Sequence, residues 1–150
     1  MKMVTKKKIK FQCADPWLLL SIIYANGDSK SDLTTIIGYG DFINHAIFTL
    51  QEIQGGMYRL IHSGYVVKKK NLYLPSSRIL DAYNKFAKKN KVVIKQLDFI
   101  RQELNAPEWS SKYDPTNANR DGICKEINKK TLDLAYSLYK KSMSLCNATG

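Results

Sequence analysis

The sequence predicts a mainly α protein with one small β-hairpin, and three observations carry that prediction. Apolar residues recur at helical spacing through most of the chain, as Leu50, Ile53, Met57, Leu60 and Ile61 do. Thr49 followed three residues later by Glu52 is the pattern of a capping box, a start signal for a helix. Two short β-prone runs, residues 65–67 and 72–74, flank Lys69-Lys70-Asn71 and end at Pro75, the pattern of a two-stranded ribbon.

The elements follow in order. Residues 1–12 read as a basic, mobile tail. Asp15 is expected to cap a first helix over residues 17–24, with Pro16 at its first position and Asn26-Gly27 as its stop. Ser31 or Asp32 starts a second helix, which Gly38 and Gly40 are expected to divide into two short pieces. The third helix begins at the Thr49 box, with Phe48 and Ile53 as a hydrophobic staple. Gly64 suits the left-handed residue that ends it, with Tyr65 folding back. Beyond the ribbon, Ser76-Ser77 opens a segment with Ile79, Leu80, Tyr83 and Phe86 at helical spacing, expected to run on through Val93, Leu97, Ile100 and Leu104. Residues 105–121 are a polar, proline-containing loop that Trp109 and Tyr113 are expected to pin to the core. The last helix carries one stripe of Ile127, Leu134, Leu138 and Leu145 and a second of Leu132, Ala135, Tyr139 and Cys146. Two stripes exceed what one packing surface requires, so the expected extra role is homodimerisation.

At 150 residues the chain is long enough to bury a core without staples. Its charge is uneven: 24 Lys and Arg against 13 Asp and Glu give +11. Residues 1–90 hold 14 against 6, a net of +8, and residues 91–150 hold 10 against 7, a net of +3. Such an excess favours a polyanionic partner, nucleic acid first, then an acidic membrane surface or acidic protein. Cys13, Cys124 and Cys146 are odd in number and scattered, which points to a reducing, cytoplasmic setting. The basic start and the apolar run at residues 17–25 outline a secretory signal, but Asp15-Pro16 before the run and Asn-Gly-Asp after it argue against one. The Asn147-Ala148-Thr149 sequon is then a chance match, and no stretch reaches the roughly 20 apolar residues of a membrane span.

Helix, helix, capped helix and hairpin in that order resembles the winged helix-turn-helix over about residues 15–75. GDFINHAIFT leading into GGMYRLIHSGYV is also similar to a stretch of uncharacterised bacterial winged-helix proteins. The resemblance implies a winged-helix domain over 13–76 and a C-terminal helical region, 77–150, that dimerises. It also implies that the third helix enters a DNA major groove while the wing touches the backbone. The groove face would then hold Gln51, Glu52, Gln54, Tyr58, Arg59 and His62, and the phosphate contacts would come from Lys68, Lys69 and Lys70. Gln pairs with adenine and Arg with guanine, so base reading is chemically open. Two features pull the other way. The connection between the second and third helices is longer than a lean turn, and the groove face carries a single firm positive charge. Gly55-Gly56 fits either a close approach by DNA or, the favoured reading, a tight helix crossing within the domain. Lysines at a hairpin tip also serve solubility and edge protection.

The expected function is that of a DNA-binding, transcription-regulator-like protein, and the alternative is a winged-helix module that binds protein instead. An enzyme is not expected. His45 and His62 lack metal-ligand spacing, and His45 reads as a helix-end residue. Gly38-Tyr39-Gly40 lacks the rest of a phosphate loop, and there is no nucleophile elbow, so no catalytic, metal or cofactor residues are assigned. Neither an effector nor a recognised DNA sequence can be read from these residues.

Overall fold

A computed structural model describes residues 8–149, with side chains through residue 145. The fold is mainly helical, with six α-helices and a two-stranded antiparallel sheet among the described residues: α1 (Asp15–Gly27), α2 (Leu33–Asn44), α3 (Leu50–His62), β1 (Val66–Lys69), β2 (Leu72–Pro75), α4 (Ser77–Ala87), α5 (Val93–Leu104) and α6 (Lys129–Thr149). One 3-10 turn, Pro115–Asn119, lies in the long connection before α6. None of these helices is long and apolar enough to cross a membrane.

α1 is the axis of the core. Residues 15–23 and Ala25 are all buried, because α2, α3, β2 and α5 pack around it. A single apolar cluster runs from Ala14 through Phe48, Met57 and Ile100 to Ile127 and Ala135, so residues on both sides of the 76/77 division share one core.

Local chemistry sets the helix ends. The Thr49 hydroxyl accepts from the Glu52 N–H at 3.1 Å, and the Glu52 carboxylate accepts from the Thr49 N–H at 2.9 Å, closing the capping box. Phe48 and Ile53, the expected staple pair, are both in the core. At the other end Gly64 takes φ +81°, Tyr65 N–H donates to the Leu60 carbonyl and Gly64 N–H to that of Ile61. That is the Schellman closure, which a Cβ at position 64 would strain. The Asp32 carboxylate caps α2 by accepting from Thr35 N–H at 2.8 Å, and His45 ends that helix in the left-handed region. Ser76 caps α4 through Ile79 N–H.

Four local expectations are corrected. Asp15 does not cap α1: Ala14 holds that position, and the Asp15 carboxylate instead accepts from Gln12 N–H and Arg59. α2 is one continuous helix. Its glycines are contact points: Gly38 faces the Tyr139 ring, and Gly40 lies beneath Phe48 while its carbonyl accepts from Trp17 Nε1 at 2.8 Å. The segment after Ser76 divides into α4 and α5, because Asn90 donates its side-chain amide to the Phe86 carbonyl and Gln96 folds back onto the Asn90 carbonyl. Phe86 and Phe99 then stack at 4.4 Å across the elbow. Residues 1–7 of the basic tail lie outside the described residues, but Phe11 packs edge-on against Tyr65 and Gln12 donates to Asn117 O, so the last part of the tail is docked.

Candidate nucleic-acid interface

The hairpin is short and well defined. Val66 pairs with Pro75 and Lys69 with Leu72, leaving Lys70-Asn71 as a two-residue turn with Lys70 at φ +55°. The α1–α2 connection joins its free edge: Tyr73 N–H donates to Ser31 O at 2.9 Å, and Asp32 bridges Leu72. Lys69 and Lys70 are exposed and have no ion pair among the described residues. Lys68 differs. It is half-buried and lies 3.5 Å from Glu126, whose carboxyl is held low by its own backbone N–H, the Cys124 thiol and Lys68. Lys68 therefore ties the hairpin to the C-terminal half, and Lys69 and Lys70 are the tip cations without an ion pair among the described residues.

The side of α3 expected to face a groove is largely closed by the protein itself. Arg59, expected on the exposed face, is 0% exposed. Its Nε and Nη2 donate to the two Asp15 carboxylate oxygens at 2.6 and 2.9 Å, and its Nη1 donates to the Ala118 carbonyl and lies 3.8 Å from Asp121. Burial pushes the Asp15 carboxyl up, while the Arg59 fork and the Gln12 amide pull it back. Gln54 is also buried: its side chain donates to Ile127 O at 2.6 Å, and its own carbonyl accepts from Cys124 N–H. Glu52 is buried and occupied by its cap. The physical reason for all three corrections lies in Gly55 and Gly56. The Gly55 backbone is in direct contact with the Ala118 carbonyl, and Gly56 faces Asp15 and Leu18, so the 113–128 connection and α1 approach α3 from two sides. The internal helix crossing is the reading of the glycine pair that matches this geometry.

Of the other expected contacts on α3, Gln51 and Tyr58 are half-buried and His62 is exposed. Tyr58 stacks on His62 at 4.0 Å and lies against Gly122, so the Tyr58 ring borders the covering connection. The structure thus brings together Gln51, Tyr58 and His62 along a narrow strip, and gives the buried Gln54 and Arg59 structural partners.

The fold also presents a second cationic surface, one that the sequence pattern does not single out. Lys85, Lys88, Lys89, Lys91 and Lys95 are all exposed at the α4–α5 elbow, and none forms an ion pair among the described residues. Its trace in the sequence is five lysines without an acid in eleven residues, 85–95. That trace is obscured because helical periodicity makes the stretch the middle of one long helix, not an exposed bend. Comparison with protein-family models, with curated proteins and with solved structures finds no match to this chain.

Proposed function

We propose that the chain is a winged-helix protein that binds double-stranded DNA through its phosphates, with no base reading by α3. The order α1, α2, α3, β1, β2 supports the winged-helix part, as does the α1–α2 connection joining the edge of the hairpin. The observation that carries the binding mode is a contrast. The α3 face is sealed by Arg59, Gln54 and the 113–128 connection, whereas Lys69, Lys70 and the five elbow lysines have no acidic partner among the described residues. Phosphate contacts by exposed lysines supply affinity and carry no sequence information. Any sequence preference then comes from DNA shape and not from base edges. A reducing, cytoplasmic setting belongs to the same proposal, supported by Cys13 and Cys124 being free thiols.

Salt dependence tests the reading on generic duplex DNA. Removing one phosphate-binding lysine lowers the slope of log affinity against log salt by roughly 0.9. Lys69→Ala with Lys70→Ala is expected to flatten it by up to about 2, and a fivefold alanine change at the elbow by more. An unchanged slope in both variants, or no binding at low salt, would refute the DNA reading.

A second reading, the protein-interaction module, is favoured by α6. Leu132 and Ala135 are buried against the body, with α2 as the neighbouring helix, while Leu134 and Leu138 point outward. Residues 140–145 are exposed. A second copy of the chain covering Leu134 and Leu138 gives a two-fold homodimer, compatible with either reading.

A further inference from the structure

We propose that the cleft between the start of α1, α5 and the 107–109 segment binds a small aromatic cation. The cleft has a volume of about 400 Å³, in the range of small-molecule sites. Its floor is rigid. Trp17 is almost fully buried, its Nε1 is held by Gly40 O, and its ring stacks on Phe48 at 3.8 Å. Trp109, edge-on to Trp17 at 6.4 Å, lines it and is yet 54% exposed; Ile94 also lines it and is 70% exposed. Two large apolar side chains left open in a cleft with an indole floor suit a flat ring, which gains apolar contact there.

The charge at the rim selects the sign. Asp98, Glu108 and Arg101 stand there, a sum of −1 on a chain whose net charge is +11. The one cation among these three is already engaged: Arg101 donates Nε and Nη2 to Asp98 at 3.0 and 2.8 Å and Nη1 to Ala106 O, and lies 3.9 Å from Glu108. An anionic ligand would find no unengaged cation among the residues that line the cleft. A cation finds the Glu108 carboxylate, 83% exposed, and the face of Trp109, the aromatic ring best suited to cation–π contact. The site is independent of DNA binding and uses none of the lysines invoked for it.

Three probes of nearly one shape separate the possibilities: phenyltrimethylammonium, the neutral tert-butylbenzene and the anionic benzenesulfonate. Both tryptophans of the chain line the cleft, so their two indole N–H resonances report occupancy directly. Phenyltrimethylammonium is expected to shift the Trp109 signal saturably, and to bind roughly two- to fivefold more tightly than the neutral probe, with the anion weakest. Glu108→Gln should lower the cation's affinity toward that of the neutral probe, leaving only the share that the Trp109 face supplies. Ile94→Lys, at an exposed position that leaves the fold intact, should abolish cation binding. No saturable shift with any probe, equal affinity for all three, or indifference to Ile94→Lys would each overturn the proposal.

Discussion

α3 and α6 look alike as patterns, each an apolar stripe with polar residues between, and the chain uses them in opposite ways. α3 is short and weakly charged, yet buried around most of its circumference, and its polar side chains point into other parts of the protein. α6 is the longest helix, packs one stripe on the body and leaves Leu134 and Leu138 in solvent. The difference teaches that polarity on a helix does not mark its outer face. Gln54 and Arg59 are inside because carbonyls at Ile127 and Ala118 and the Asp15 carboxylate wait for their donors. Leu134 and Leu138 are outside because Leu132 and Ala135 take the side of α6 that packs on the body.

The largest expected effect breaks the α3 side of the comparison. Arg59→Ala leaves the Asp15 carboxylate buried with one backbone donor and orphans the Ala118 carbonyl. Breaking such a pair costs about 3–5 kcal/mol. Denaturant melts should show it, and Asp15→Leu with Arg59→Met should be far less destabilised than the single change. A single variant as stable as the wild type would return Arg59 to the surface and restore it as a base-reading candidate.

What is legible in the sequence divides along the same line. The Thr49 box, the Gly64 stop and the Ser76 cap are written in residues at most five apart, and the structure has each of them where the sequence puts it. Of Ser31 and Asp32 it takes Asp32 as the cap, and it shortens the expected Lys69-Lys70-Asn71 turn to Lys70-Asn71, with Lys69 in the strand. Arg59 depends on Asp15, 44 residues away, and on Ala118, 59 residues away. Nothing local to α3 announces that a later connection will cover it. Gly55-Gly56 is the one local trace, since two adjacent glycines in a helix that loses stability by having them mark a backbone that comes close. The stripes of α6 are legible in part: Ile127, read as part of the first, precedes the helix and is buried in the core, while Leu134, Leu138 and Leu145 are exposed; which stripe the body takes is not legible. Cys146 of the second stripe and the 147–149 sequon lie outside the residues whose side chains are described.

The glycine pair gives the next test. A Cβ at position 55 would overlap the Ala118 carbonyl, a backbone atom that cannot turn aside. Gly55→Ala is expected to cost about 1–3 kcal/mol despite the better helix propensity of alanine. Gly27, with open space around it, is the control: Gly27→Ala is expected to gain up to about 1 kcal/mol. Equal effects at the two positions, read from thermal melts, would mean that the 113–128 connection does not press on α3.

Smaller still is the local term at the start of α3. Thr49→Ala removes the acceptor for Glu52 N–H and should cost about 1 kcal/mol. Because the Thr49 side chain is exposed, the loss belongs to the cap and not to packing. An unshifted denaturation midpoint would show that the cap does not hold α3 in place.

The smallest effect on stability belongs to α6, and it carries the most about assembly. Leu134→Glu with Leu138→Glu replaces two exposed side chains, so the fold of one chain should change by no more than about 0.5 kcal/mol. If a second copy covers this stripe, four carboxylates would be brought into one interface, and like charges there cost several kcal/mol. Light scattering should then report twice the 17.2 kDa chain mass for the wild type and the single mass for the variant, with helix content unchanged. The wild-type melting temperature should also rise with concentration, and the variant's should not, since only an assembled chain gains stability by mass action. A wild type that stays at the single mass at high concentration would leave Leu134 and Leu138 as ordinary exposed leucines. α6 would then differ from α3 only in how much of it the body covers.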